Sequence, residues 1–151
     1  MSQTAIRKIL RIDSSANPGD SVSRAIGNEV EHRLTTDRPG ATVNRLDLAT
    51  GMPHIDADWV GANFTPPEQR SPEQQERLAV SDHAVALLKE ADTVIVTVPV
   101  YNFSLPSTLK AWIDHFCRAG VTFLYTANFF CFLLSYRPVY LFMASGCFPF
   151  C

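Results

Sequence analysis

Thr93-Val94-Ile95-Val96-Thr97-Val98-Pro99-Val100-Tyr101-Asn102-Phe103 begins as a strand and ends as a candidate site. Val94, Ile95, Val96 and Val98 form a nearly continuous β-branched run, the pattern of a strand buried on both faces of a parallel sheet. Pro99 has no N–H to give to a ladder, so the strand is expected to stop there. Tyr101, Asn102 and Phe103 then put two aromatics and an amide just past the strand's carboxyl end. Open α/β sheets bind ligands along that edge. A hydrophobic loop capping the core has the same composition, and this stretch alone leaves both readings open.

The rest of the chain fits an α/β domain around that strand. Its 151 residues suffice for one domain with a real core, so residues 1–151 are expected to form a single unit. With 46% hydrophobic and 19% charged residues the chain is globular in composition. A net charge of −2 without a basic stripe gives nucleic-acid binding no electrostatic support. Residues 1–10 hold no long apolar segment, so no secretory signal is expected, and a cytoplasmic, reduced state is the default. Cys117, Cys131, Cys147 and Cys151 lack paired CxxC spacing, and two thiols four apart at the end do not amount to a metal site.

Residues 6–13 read as a first strand, followed by the hydroxyl-rich turn Ser14-Ser15-Ala16-Asn17-Pro18-Gly19-Asp20-Ser21-Val22-Ser23. Val22, Ala25, Ile26, Val30 and Leu34 recur at helical spacing, with Ser21 or Ser23 as the cap. Pro39-Gly40 breaks the chain, and residues 41–48 alternate like a second strand. A serine loop before a helix can hold a phosphate with hydroxyls and backbone N–H groups and no Lys or Arg, although an ordinary capped loop looks the same. Neither G-x-G-x-x-G nor a P-loop is present, which argues against a dinucleotide fingerprint and a nucleotide triphosphatase. Residues 49–70 are expected to be a long connection, with Trp59 either over a ligand or plugging a groove. Ser71-Pro72-Glu73-Gln74 predicts a capped helix running to about Glu90, with His83 toward solvent. After Phe103, Pro106 or Ser107 opens a helix whose apolar face is Leu109, Trp112, Ile113, Phe116 and Cys117. Cys117 is expected in the core and Gly120 at the helix's C′ position. Residues 137–143 read as a fourth strand, with Ala144-Ser145-Gly146 turning off its end.

Ile12-Asp13-Ser14-Ser15, Ser21-Val22-Ser23, Pro99-Val100-Tyr101-Asn102-Phe103 and Arg118-Ala119-Gly120-Val121-Thr122-Phe123-Leu124-Tyr125-Thr126, in that order, resemble the FMN-dependent NADH-azoreductases, a family of flavodoxin-like quinone reductases. The resemblance covers about residues 6–126 and resumes over 137–146. It implies a flavodoxin-like three-layer α/β/α sandwich with a parallel sheet, and a homodimer with FMN at the interface. By position it implies that Ser15, Ser21, Val22 and Ser23 surround the FMN phosphate. It implies that Val100, Tyr101, Asn102 and Phe103 line the isoalloxazine ring, and that Ala144, Ser145, Gly146 and Cys147 form a third flavin-contacting turn. The implied reaction is ping-pong: NADH or NADPH reduces the flavin, and a quinone or aromatic azo compound then takes the reducing equivalents. The resemblance implies no catalytic side chain, because the cofactor carries the chemistry. A flavodoxin-like electron carrier and a non-catalytic remnant are the rival readings.

Two departures from the family pattern stand out. Ala127-Asn128 leads into Phe129-Phe130-Cys131-Phe132-Leu133-Leu134-Ser135-Tyr136 where the family has a polar, glycine-containing turn, and Cys147 stands at the second glycine of the third flavin turn. Residues 119–136 carry no formal charge, are barely long enough for a membrane span, and overlap the family pattern at Gly120. Residues 127–151 are atypical, with the composition of a disrupted reading frame. The sheet is expected to lack its last strand and helix, which leaves apolar faces of the fourth strand and first helix uncovered.

Overall fold

The computed structural model describes residues 7–126 and 129–146. Its core is a four-stranded parallel sheet in the order β2-β1-β3-β6, built from β1 (Lys8–Asp13), β2 (Thr42–Asp47), β3 (Thr93–Pro99) and β6 (Val139–Ala144). Helix α1 (Val22–Thr36) packs on one face, and α3 (Pro72–Glu90) and α4 (Ser107–Phe116) pack on the other. This is the expected α/β sandwich, and the four strands read from the sequence are those of the sheet.

The two faces differ in chemistry because side chains alternate along a strand. Leu10, Ile12, Val94, Val96 and Val98 point toward α3 and α4, where they meet Ala84, Leu88, Leu109 and Trp112 in one buried cluster. Arg11, Asp13 and Thr97 point the other way, toward α1, and are buried too. Helix α1 does not dock by the apolar stripe that its sequence offers. Its buried positions are Ser23 and Gly27, whereas Val22 is 70% exposed. The polar seam of the sheet explains the reversal. Arg11 Nη1 donates to Asn28 Oδ1 (2.7 Å) and Glu31 Oε2 (3.2 Å), so the helix turns its polar side inward to satisfy a buried guanidinium.

The stretch read as a long connection contains a helix, α2 (Ala57–Phe64), capped by the Asp56 side chain at Trp59 N. It is too short for a strong periodic signal and is fixed by tertiary contacts. Trp59 is buried. Its Nε1 donates to Ser81 Oγ (2.8 Å), and Ser81 is paired with His115 Nδ1 (2.6 Å). The tryptophan therefore joins α2 to α3 and α4. The Ser71 capping box, Pro72 at N1 and the end at Glu90 are as expected in α3, and His83 is exposed.

Cys117 is exposed, not in the core, because α4 ends at Phe116 and the cysteine caps it outside the apolar stripe. Gly120 lies beyond the helix end. Its φ of +78° serves a turn in which its N–H reaches Phe123 O (2.8 Å). That turn leads into an antiparallel pair, β4 (Phe123–Tyr125) and β5 (Phe130–Phe132). The described parts of the uncharged stretch thus pair as antiparallel strands, and no helix among the described residues is long and apolar enough to cross a membrane. Strand β6 forms one edge of the sheet with Val139, Leu141 and Met143 exposed, as expected of an uncovered face.

Two expected outcomes follow from this packing. A Cβ at Gly27 meets Thr97 Cγ2 at 2.6 Å and the Arg11 guanidinium at 3.0 Å. Gly27→Val forces α1 off the sheet, and overpacking of about 1–3 kcal/mol outweighs any gain in helix propensity; a lowered urea midpoint checks this, and an unchanged one contradicts it. Asp92 accepts from the backbone N–H of Arg7 and Lys8, both at 2.9 Å, and these bonds hold its carboxyl below the usual carboxylate range. A depressed folded-state pKa gives stability that is present above the unfolded value and lost as pH falls through the folded one. Asp92→Asn therefore flattens the fall of the melting temperature below about pH 4.

Candidate functional site

The carboxyl ends of β1, β3 and β6 lie side by side, and the chain leaves each through a loop singled out in the sequence. Ser14 and Ser15 follow β1, Val100 to Phe103 follow β3, and Ser145 and Gly146 follow β6. Ser14 ties the first loop to β3, its Oγ donating to Thr97 O at 2.7 Å. Val100 N donates to Ala144 O (2.8 Å), which ties the second to the third. The Tyr101 hydroxyl lies 3.4 Å from Ser15 Oγ and accepts from Ala16 N at 3.2 Å. All three segments therefore meet at one edge, where strands leave β1 in opposite directions across the sheet. That switch point is the usual ligand crevice of such sheets. Cys147 lies outside the described residues.

The serine loop is shaped by Asn17, whose Oδ1 accepts from Gly19 N (3.0 Å) and Asp20 N (3.2 Å). Ser21 caps α1 and sits 3.1 Å from the buried Ser23 hydroxyl. Ser15 is also buried. The Ser21 and Ser23 hydroxyls thus sit together at the positive end of the α1 dipole, and Arg24 of the same turn reaches the Ser15 carbonyl. Val22, at the first helical position, is exposed beside it.

The second loop is strained. Tyr101 and Ser104 exchange both backbone hydrogen bonds, at 2.9 Å each, around a two-residue turn. Asn102 has φ +49° and Phe103 φ +64°. Consecutive left-handed residues define a type I′ turn, in which Asn is favoured first and Gly second. A phenylalanine at the second position is an outlier of the kind found at functional sites. Phe103 is 96% exposed, so no packing of its ring repays the strain within this chain.

Charged groups behind the serine loop were not legible as part of a site. Arg24 Nη2 donates to Ser15 O (2.8 Å), and the same guanidinium pairs with both carboxylate oxygens of Asp47 at 2.9 and 2.5 Å. This pairing raises the Arg24 pKa and, led by the side-chain hydrogen bond, lowers that of Asp47. Asp13 accepts from Thr97 Oγ1 (2.7 Å) and pairs with Arg11 (3.0 Å). The one sequence signal was Arg24 itself, a cation in the first turn of a helix, where the dipole disfavours it. Among the described residues no cluster of His, Cys, Asp and Glu is arranged to hold a metal. The edge thus offers hydroxyls and N–H groups for an anion and an exposed aromatic platform, and no paired acid and base.

Comparison with known proteins identifies the family and the fold. A family model described as flavodoxin-like fold matches residues 7–150. An FMN-dependent NADH:quinone oxidoreductase of Hahella chejuensis is 42% identical over 141 residues, which cover 93% of this chain and 69% of that protein. One from Herminiimonas arsenicoxydans is 47% identical over 140 residues, covering 92% and 69%. Among solved structures, an azoreductase from Bacillus anthracis superposes with a TM-score of 0.84 at 27% identity, covering 93% of this chain and 70% of that one. An FMN-dependent NADH-azoreductase from Bacillus anthracis, solved in complex with FMN, superposes with a TM-score of 0.81 at 25% identity and the same coverage. A doubly wound sheet, a serine loop and an aromatic turn at its switch point, and relatives of this identity and coverage lead to one conclusion: the chain belongs to the FMN-dependent NADH:quinone oxidoreductases, a family of flavodoxin-like fold.

Proposed function

We propose that this chain is an FMN-dependent oxidoreductase that passes reducing equivalents from NADH or NADPH to quinones and aromatic azo compounds. The observation that carries the reading is the meeting of the serine loop and the strained Asn102–Phe103 turn at one sheet edge through Tyr101. Ser15, Ser21, Val22 and Ser23 surround the phosphate, whose charge the α1 N-terminus favours. Val100, Tyr101, Asn102 and Phe103 line the ring. Ala144, Ser145 and Gly146 approach it from β6, and Cys147, outside the described residues, completes the proposed set.

FMN, when bound, supplies the redox chemistry, accepting two electrons from the nicotinamide and giving them to the acceptor. The chain's part is binding, orientation and exclusion of water. The left-handed turn leaves the backbone N–H groups of Asn102 and Phe103 out of its two Tyr101–Ser104 bonds, so they can face a flavin edge. Phe103 presents an aromatic face that stacks on a planar ring. No side chain at this edge needs to serve as a general acid. A homodimer belongs to the same reading, since the exposed β6 edge and Phe103 leave apolar surface for a second copy to cover. A cytoplasmic location, where nicotinamide nucleotides are made, completes it.

Two measurements test the reading. Titration of the purified chain with FMN should give a yellow protein with stoichiometric flavin that oxidises NADH when a quinone is added; a chain that stays colourless on titration overturns it. Flavin binding with NADH oxidation only in the presence of a partner reductase reassigns the chain as an electron carrier. Phe103→Gly should keep or raise the melting temperature, because glycine relieves about 1–3 kcal/mol of left-handed strain. The same change should weaken FMN binding. A variant that loses stability and keeps flavin affinity contradicts the role given to this turn.

A further inference from the structure

The serine loop carries no cation of its own, yet one stands directly behind it. Arg24 lies in the first turn of α1, and its side chain is only 12% exposed. Its guanidinium does not point at the hydroxyls. It grips the Ser15 carbonyl (2.8 Å) and both oxygens of Asp47, with Asp13 Oδ2 at 3.9 Å. Its Nε is buried and has no hydrogen-bond partner among the described residues. Asp13 and Asp47 are register partners on adjacent strands, so Arg24 bridges two like charges at the carboxyl ends of β1 and β2.

The grip on Ser15 O has a geometric consequence. A trans peptide is planar, so its C=O and N–H point in opposite directions. Holding the Ser15 carbonyl toward Arg24 turns the Ala16 N–H away from it, to where that N–H meets the Tyr101 hydroxyl at 3.2 Å. Ser15 Oγ lies at the same place, 3.4 Å from that hydroxyl. The Arg24 clamp thus fixes which way the Ala16 N–H faces, while Asn17 holds the Ser15 hydroxyl beside it. Its charge is largely spent on Asp47 and Asp13, so its contribution is orientation more than field.

We propose that Arg24 is a positioning residue for flavin phosphate, acting through the Ser15–Ala16 peptide, with Asp47 holding the guanidinium in place. The proposal rests on the phosphate site given under the proposed function. It makes Arg24 specific for the phosphate-bearing cofactor: its loss weakens FMN binding and leaves riboflavin binding alone.

The test is titration of the flavin-free chain with FMN and with riboflavin, followed by quenching of flavin fluorescence, for the wild type and for Arg24→Gln, Arg24→Lys and Asp47→Asn. Wild type is expected to prefer FMN. Arg24→Gln should raise the FMN Kd by about tenfold or more and leave the riboflavin Kd within about twofold. Arg24→Lys should recover only part of the loss, since an ammonium cannot reach Ser15 O and both Asp47 oxygens at once. Asp47→Asn keeps the cap on Ala49 N but frees the guanidinium, and it too should weaken FMN binding. If Arg24→Gln does not give a cooperative melt, the Lys and Asn variants decide the matter by the same ratio. Arg24→Gln binding FMN as wild type does overturns the proposal, as does an Asp47→Asn variant that binds FMN more tightly, the mark of an unneutralised charge acting by field. A wild type that binds riboflavin as well as FMN removes the phosphate site itself, and the role of Arg24 with it.

Discussion

The buried carboxylate of Asp13 is the point on which the site and the sheet both depend. It ends β1 and is register partner to Thr97 on β3 and to Asp47 on β2. Thr97 and Arg11 both donate to it, and Arg11 in turn reaches Asn28 and Glu31 on α1. A charge at this depth is tolerable only with partners, and stripping one from such a pair costs about 3–5 kcal/mol. The network therefore dictates the rest. Helix α1 must present polar atoms to the sheet, Gly27 must be bare for the backbone to come close enough, and the serine loop must begin where the carboxylate stops. The unusual orientation of α1 and the position of the loop share this one cause.

Above that seam the chain holds strain and exposure where a ligand would relieve them. Phe103 sits in a conformation that glycine prefers, with its ring in solvent. Ser15 and Ser23 are buried hydroxyls near the Ser21-capped N-terminus of α1. Neither arrangement improves the stability of the free chain. A planar ring with a phosphate tail makes use of both, and this fits a family in which the cofactor carries the reaction while the protein holds it in place.

The apolar surface has a different origin. Val139, Leu141 and Met143 on β6 and Val22 on α1 are exposed because nothing among the described residues lies beyond β6 or outside α1. The antiparallel pair of Phe123–Tyr125 and Phe130–Phe132 adds aromatics that pack on one another, such as Phe123 on Phe130 at 4.8 Å and Phe130 on Phe132 at 4.8 Å, without entering the main core. Local aromatic packing is enough to form a two-stranded ribbon, but it does not replace a layer over the sheet edge.

The sequence by itself determined the four strands of the parallel sheet, the capped helix after Ser71, and the loops that leave the carboxyl ends of the strands. Each of these is written in local chemistry: a β-branched run, a capping box, a proline that ends a ladder. It did not determine α2, the outward turn of the α1 apolar stripe, the exposure of Cys117, or the clamp of Arg24 on Ser15. Those are set by partners distant in the chain. Trp59 needed Ser81, 22 residues on, and Ser81 needed His115, 34 further, before an eight-residue helix had a reason to form. Arg24 needed Asp47 brought beside it by strand pairing. Periodicity reports which residues are apolar, but a buried charge decides which face of a helix turns inward, and only the tertiary structure puts that charge in place.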